Sequence, residues 1–187
     1  MTKGEALRDR TAAAIIDSAA TILAERGEAA SMEEIASAAG IGRATLYRYF
    51  PNREELLSAM AAASVEELAA RIEEANLEAV PFEEAVARLA RAIISTGSKF
   101  TALSRDGAKH SDDLPDLDVK VTEPIRALFR RASAEGALRP DLPLDVLMDL
   151  FSGLIRGALD STASGRRGIE EAAAALTTLF LDGARAS

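Results

Sequence analysis

The chain has 187 residues, of which 48% are hydrophobic and 28% charged, and its formal net charge is -8. This length is sufficient for one sizeable core, and the composition is that of a globular protein. The absence of cysteine excludes disulfides and thiolate metal sites, and it fits a reducing cytoplasm, which is the expected location. No apolar run approaches the roughly 18 residues that span a bilayer, so no membrane partner is expected.

The first 53 residues predict three helices. Alternating strand patterns are missing and good helix formers dominate, so the predicted fold class is all-α, with about nine helices. The first helix covers about 10–26, with an apolar stripe on one face. A capping box that begins at Ser31 opens the second helix, which covers about 31–39. After a short glycine-containing turn, a third helix covers about 43–50, and Pro51 ends it.

The rest of the chain predicts further helices and carries the acidic charge. Residues 1–53 hold seven basic and seven acidic residues, whereas 54–187 hold 15 basic and 23 acidic residues. We therefore divide the chain into a neutral head, 1–53, and an acidic body, 54–187. The remaining helices are predicted at about 53–78, 82–104, 106–111, 119–135, 143–163 and 168–184.

The segment from Ile41 to Arg53 has an unusual composition. It contains three arginines and both tyrosines of the chain, and it contains no acidic residue. At 100° per residue, Leu46 and Phe50 define the buried side of the third helix. The exposed sides are then expected to carry guanidinium, hydroxyl and phenol groups and no carboxylate, and such groups bind phosphate oxygens and purine edges. This pattern predicts a nucleic-acid-binding helix-turn-helix, with a plain solvated basic face as the structural alternative.

Two other functions stay open on composition and spacing. One is an all-helical enzyme, although no nucleophile–base pair, phosphate loop or pair of metal ligands is present as a motif. The other is a helical interaction module without a nucleic-acid role. His110 and the aspartates near it resemble a metal cluster only superficially, because a single histidine in an acidic loop is normally solvated. No catalytic residue, metal or other cofactor is expected.

The stretch "SMEEIASAAGIGRATLYRYFPNREELL" (31–57) resembles the DNA-binding signature of the TetR (tetracycline-repressor-like) family of bacterial regulators. The resemblance rests on the helix-turn-helix with T-L-Y-x-Y/H-F near its end and on the basic residue that follows. It implies a DNA-binding domain over 1–53 and an effector-binding and dimerisation domain over 54–187. The one departure is Gly42, where many relatives carry a serine or another capping side chain. The resemblance implies that the DNA-contacting residues are Ser31, Arg43, Ala44, Thr45, Tyr47, Arg48, Tyr49 and Arg53.

The last two predicted helices are the best candidates for a homodimer interface. The helix at 143–163 has too many apolar residues for one narrow stripe, and Gly153 and Gly157 permit close approach of another helix. Helix-turn-helix proteins usually dimerise so that two recognition helices meet successive major grooves. The expected interface residues are Leu147, Leu150, Phe151, Leu154, Ile155, Leu176 and Phe180.

The resemblance also implies a small-molecule effector site inside the body. The most polar part of an otherwise apolar helix, "STGSKFTALSR" (95–105), suggests one wall. The expected pocket residues are Ser95, Thr96, Phe100, Thr101, Leu103, Ile125 and Phe129. By family habit the protein is expected to be a repressor that its effector releases from a double-stranded DNA operator.

Overall fold

The computed structural model describes the backbone of residues 3–105 and 116–186, and the side chains of 7–27, 29–97 and 116–186. Within this part the chain forms eight α-helices and no strand, which confirms the predicted all-α class. The ninth predicted helix, at 106–111, lies outside the described residues. The helices are α1 (Lys3–Arg26), α2 (Met32–Ala38), α3 (Arg43–Tyr49), α4 (Arg53–Glu74), α5 (Phe82–Arg105), α6 (Glu123–Ala134), α7 (Leu144–Ala163) and α8 (Ile169–Ala184).

Three helix ends differ from the predicted ones. Helix α1 begins about seven residues earlier than predicted, because the good helix formers Glu5, Ala6, Leu7 and Arg8 extend it in spite of Gly4. Helix α4 ends at Glu74, and Asn76 then adopts a left-handed backbone with φ of 48°. The chain enters α6 through a π-helical turn, Asp118–Thr122, and Pro124 stands in the first turn of α6. Proline suits this position because its missing N–H has no intrahelical partner there.

The described residues group into two compact units, the first formed by 3–64 and 98–105 and the second by 65–97 and 116–186. The first unit contains α1, α2, α3, the beginning of α4 and the end of α5. Its core forms where the stripe of α1 meets the other helices, with Ile15, Leu23, Ile35 and Leu46 each completely buried. Burial of this kind holds short helices that would be marginal alone. The predicted division at residue 53 stays a prediction.

Four phenylalanines form the centre of the second unit. Phe129 of α6 lies with its ring centroid 6.0 Å from Phe82 of α5, 5.5 Å from Phe151 of α7 and 5.6 Å from Phe180 of α8. Such tilted and edge-to-face pairs stabilise a core beyond the area that they bury. The cluster therefore fixes α5 to α8 around one side chain. Among the described helices, none is long and apolar enough to cross a bilayer.

Candidate nucleic-acid interface

Local interactions define both ends of α2. The Ser31 hydroxyl accepts a hydrogen bond from the Glu34 N–H at 3.2 Å, and the Ser31 N–H donates to the Glu34 carboxylate at 2.9 Å. At the other end, Gly40 has a φ of 67°, and the Ile41 N–H donates to the Ala36 carbonyl at 3.0 Å. This is a Schellman-type end, for which glycine is the favoured residue. The capping box therefore determines where α2 begins, and Gly40 determines the turn between α2 and α3.

Helix α3 has one buried side and one side that faces solvent. Leu46 has no exposed surface, and Phe50, directly after the helix, is also buried. Arg43, Ala44 and Arg48 are exposed. The remaining predicted contact residues of this helix, Thr45, Tyr47 and Tyr49, are half-buried. The helix thus presents most of the predicted residues on its free side, as the periodicity requires, whereas Tyr49 packs against the core of the first unit.

Both arginines of α3 lie over tyrosine rings. The Arg43 guanidinium carbon is 5.5 Å from the centroid of the Tyr47 ring, and that of Arg48 is 5.8 Å from the Tyr49 ring. Cation–π contacts of this kind contribute about 0.5–1 kcal/mol at exposed sites. They restrict each guanidinium to one side of its ring, and they leave the N–H donors at its edge available.

The expectation that this face carries no carboxylate is wrong. The Arg43 guanidinium donates a hydrogen bond to the carboxylate of Glu33, which comes from the first turn of α2. The acid-free segment therefore receives an acid from the neighbouring helix. The sequence argument missed Glu33 because it considered only the residues of the segment itself. Glu33 lies in the first turn of α2 beside the capping box, and only the crossing of α2 and α3 brings it to Arg43.

Two predicted phosphate contacts have protein partners in the structure. The Ser31 hydroxyl donates to Glu34 at 3.0 Å in addition to accepting from its backbone. Glu34 also pairs with Arg26, and the bonds from Ser31 together with this cation hold the pKa of Glu34 below its usual range. Arg53, at the start of α4, donates to the Ala30 carbonyl. Both residues therefore also support the geometry of the first unit.

Gly42 is the N-cap of α3 and provides no side-chain hydrogen bond to the helix. Its backbone is extended, with φ of -73° and ψ of 149°, which any residue can adopt. A Cβ atom built on Gly42 would meet nothing within 4 Å. The departure from the family pattern therefore leaves the start of α3 without a side-chain cap, although a serine would fit.

The predicted effector residues do not line one common space among the described side chains. Phe129 is completely buried in the aromatic cluster, and Thr96 is buried with its hydroxyl bonded to the Ala92 carbonyl at 2.8 Å. Ser95 lines a shallow groove near the start of α8, and Ile125 is half-buried. The side chains of Phe100, Thr101 and Leu103 lie outside the described residues.

A cavity of about 920 Å³ opens in the second unit between α4 and α6. Charged side chains bridge its two walls. Lys120, on the π-helical turn, contacts Glu66 of α4 at 2.5 Å and Asp116 at 3.2 Å, and these hydrogen bonds raise the pKa of Lys120. Arg131 of α6 donates to three backbone carbonyls of the segment 77–80 that follows α4, at 2.9, 3.0 and 3.2 Å. The apolar part of the lining consists of Ala69, Ala70, Ile72, Leu77, Val119, Pro124, Ala127 and Leu128.

The predicted dimer residues divide into two sets. One set is buried within the protomer's own core: Leu147, Phe151, Ile155, Leu176 and Phe180. The other set is Leu150, which is 55% exposed, and Leu154, which is half-buried. The division arises because α7 carries apolar residues on more than one face, and the aromatic cluster covers one of them.

The sequence of the chain is similar to those of known regulatory proteins. Residues 15–60 match the family model of bacterial regulatory proteins of the tetR family. The HTH-type transcriptional repressor LfrR of Mycolicibacterium smegmatis is 31% identical over 161 residues, which are 84% of this chain and 82% of LfrR. The HTH-type transcriptional regulator NfxB of Pseudomonas aeruginosa is 28% identical over 166 residues, which are 83% of this chain and 84% of NfxB.

The fold agrees with this assignment. The crystal structure of LfrR in complex with proflavine superposes with a TM-score of 0.78 at 26% identity, over 95% of this chain and 97% of that chain. Regulators of this family bind DNA operators and small molecules, and they dimerise. The matches confirm the predicted helix-turn-helix regulator and exclude the alternative of an enzyme. The chain therefore belongs to the TetR family of bacterial regulators and is a DNA-binding transcriptional regulator.

Proposed function

We propose that the protein is a repressor that binds its operator as a dimer through the free side of α3, and that a small molecule in the cavity between α4 and α6 releases it. The observation that carries the DNA-binding part is the two-sided character of α3. Its anchored side is held by Leu46, while its free side carries Arg43, Thr45, Tyr47 and Arg48. Arginine forks read guanine O6 and N7, and hydroxyls and phenols contact phosphate.

A titration of the DNA upstream of the protein's own gene, over a series of salt concentrations, tests this proposal. Neutralisation of phosphates releases counterions, so affinity for the operator falls steeply and linearly on a logarithmic salt scale. In Arg43→Ala, loss of one base contact weakens operator binding by about 1–3 kcal/mol. Arg10→Ala, which removes the same charge from an exposed position of α1, is the matched control and retains most of the affinity. Binding that is absent, or that does not depend on salt, contradicts the proposal.

The surface of α7 that its own protomer leaves open supports the proposed dimer interface. Val146, Leu150 and Leu154 lie at spacings of four residues and share a face with Gly153 and Gly157. A Cβ atom built on either glycine would meet nothing within 4 Å. A second helix can approach such a face closely, and an exposed apolar strip of this kind marks an interaction site. Ile169 and Leu179 of α8 are also large, apolar and exposed.

The cavity between α4 and α6 has the size of a small-molecule site. Its volume of about 920 Å³ lies within the range of ligand pockets, and much of its lining is apolar. Glu73 and Glu78 also line it, which favours an apolar ligand that carries a positive charge. Proflavine, present in the LfrR crystal structure, is therefore a suitable first probe.

Displacement of operator DNA by proflavine tests the effector site. Ala127→Phe narrows the cavity from α6, so we expect it to abolish the response to proflavine while operator binding stays at the wild-type level. Ala134→Phe, at an exposed position of the same helix outside the cavity lining, is the matched control. Equal responses of both variants and of the wild type would place the effector elsewhere.

A further inference from the structure

Glu33 contacts the residue of α3 best placed to read a base. Glu33 and Arg43 stand in the first turns of α2 and α3, and their side chains form an ion pair across the turn. On its other side the Arg43 guanidinium lies over the Tyr47 ring. The guanidinium is thus held between a carboxylate and an aromatic ring, so its orientation is set before any DNA arrives.

The Glu33 carboxylate takes no part in the capping of α2. The cap of α2 is formed by Ser31 and Glu34, and the Glu33 side chain contributes nothing to it. Both members of the pair are largely exposed, with 61% of the Glu33 side chain and 63% of the Arg43 side chain accessible. Exposed ion pairs add little to stability. The pair is therefore better explained by what it does to Arg43 than by any contribution to folding.

A carboxylate beside an arginine affects its two possible DNA partners differently. A phosphate is an anion, so a neighbouring carboxylate repels it and competes with it for the same N–H donors. A guanine edge presents O6 and N7, which are neutral acceptors, so it carries no net charge for the carboxylate to repel. A guanidinium has five N–H donors, and a carboxylate that occupies some of them leaves others for the base.

From this geometry we propose that Glu33 is a specificity-determining positioning residue. It directs Arg43 towards a base edge and lowers the affinity of the protein for DNA without the operator sequence. The inference rests on the proposed DNA-binding face of α3. The Glu33 carboxylate improves discrimination between the operator and other DNA, because it weakens the sequence-independent part of binding.

The experiment compares an operator duplex with a scrambled duplex of equal length for the full-length wild type and Glu33→Gln. Glutamine keeps the size of the side chain and removes its charge. We expect affinity for the scrambled duplex to rise about fivefold and its salt slope to steepen by up to about 1, because Arg43 then binds phosphate. Operator affinity changes less, so the ratio of the two affinities falls. Glu33→Asp, which retains the charge, restores part of the ratio.

Two controls separate positioning from a general effect of charge. Glu25→Gln removes one exposed carboxylate of α1 and leaves the ratio unchanged. In an Arg43→Ala background, Glu33→Gln no longer alters the ratio, since the group that it positions is gone. The inference is overturned if Glu33→Gln raises both affinities by the same factor, or if Glu25→Gln has an equal effect on the ratio. Failure of the wild type to prefer its operator would instead refute the proposed function.

Discussion

Replacement of Leu150 by alanine tests the proposed dimer face quantitatively. Complete burial of a leucine side chain is worth about 1.5–3 kcal/mol. Leu150 is 55% exposed in the protomer, so covering that fraction contributes about 0.8–1.7 kcal/mol at this apolar transfer value. In a two-fold symmetric dimer the Leu150 side chains of both protomers are covered, so together they contribute about 1.6–3.3 kcal/mol to dimerisation. Since each 1.4 kcal/mol is tenfold in affinity, Leu150→Ala should weaken dimerisation by about 10- to 200-fold.

Sedimentation equilibrium over a range of protein concentrations measures this dissociation constant directly. Leu147→Ala, one turn earlier on α7, is the matched control because Leu147 is only 2% exposed. It should lower the free energy of unfolding by about 2–5 kcal/mol, as expected for a cavity in a core. Leu150→Ala should leave the unfolding of the monomer nearly unchanged. If Leu150→Ala dimerises as tightly as the wild type, the exposed face of α7 is not the interface.

Three further predictions concern stability. In Gly97→Ala the new Cβ would lie 1.9 Å from Leu159 Cδ2, so the Leu159 side chain has to leave its rotamer and we expect a loss of about 0.5–1.5 kcal/mol. The loss should disappear in a double-mutant cycle with Leu159→Ala, and additive effects would contradict it. The lowered pKa of Glu34 stabilises the fold above its usual value of 4.5, and this stabilisation is lost as pH falls through the lower folded pKa. Glu34→Gln should therefore melt earlier than the wild type at pH 7 but not in strong acid, and a constant difference would argue against a charge effect. Gly42→Ser should stabilise the protein by a few tenths of a kcal/mol, because the serine hydroxyl caps α3, and the melting temperature should rise slightly. An unchanged or lower melting temperature would show that no cap forms.

The first unit could be predicted in detail because its signals are local. The capping box at Ser31, the glycine turn and Pro51 each act within a few residues of their own position. The buried positions of Leu46 and Phe50 follow from helical periodicity alone, and both are confirmed. The pair between Glu33 and Arg43 could not be predicted in this way. It depends on the angle at which α2 and α3 cross, which no periodic pattern specifies.

The second unit could be predicted only as a set of helices. Helix α7 is apolar on more than one face, so the pattern could not separate the inward Phe151 from the outward Leu150. The burial of Phe129 depends on three phenylalanines that are distant in sequence. Likewise, the walls of the cavity between α4 and α6 are joined by Arg131 and Lys120, which bond to residues more than 50 positions away. Long-range packing of this kind leaves no local signal in the sequence.

The tyrosines of α3 give the protein a built-in optical probe. Tyr47 and Tyr49 are the only tyrosines of the chain, and tryptophan is absent. All tyrosine fluorescence of the protein therefore originates from one helix of seven residues. Each ring lies beside a guanidinium, and a phosphate or base that draws the arginine away changes the surroundings of the ring. Tyrosine emission thus monitors α3 in the unlabelled wild-type protein.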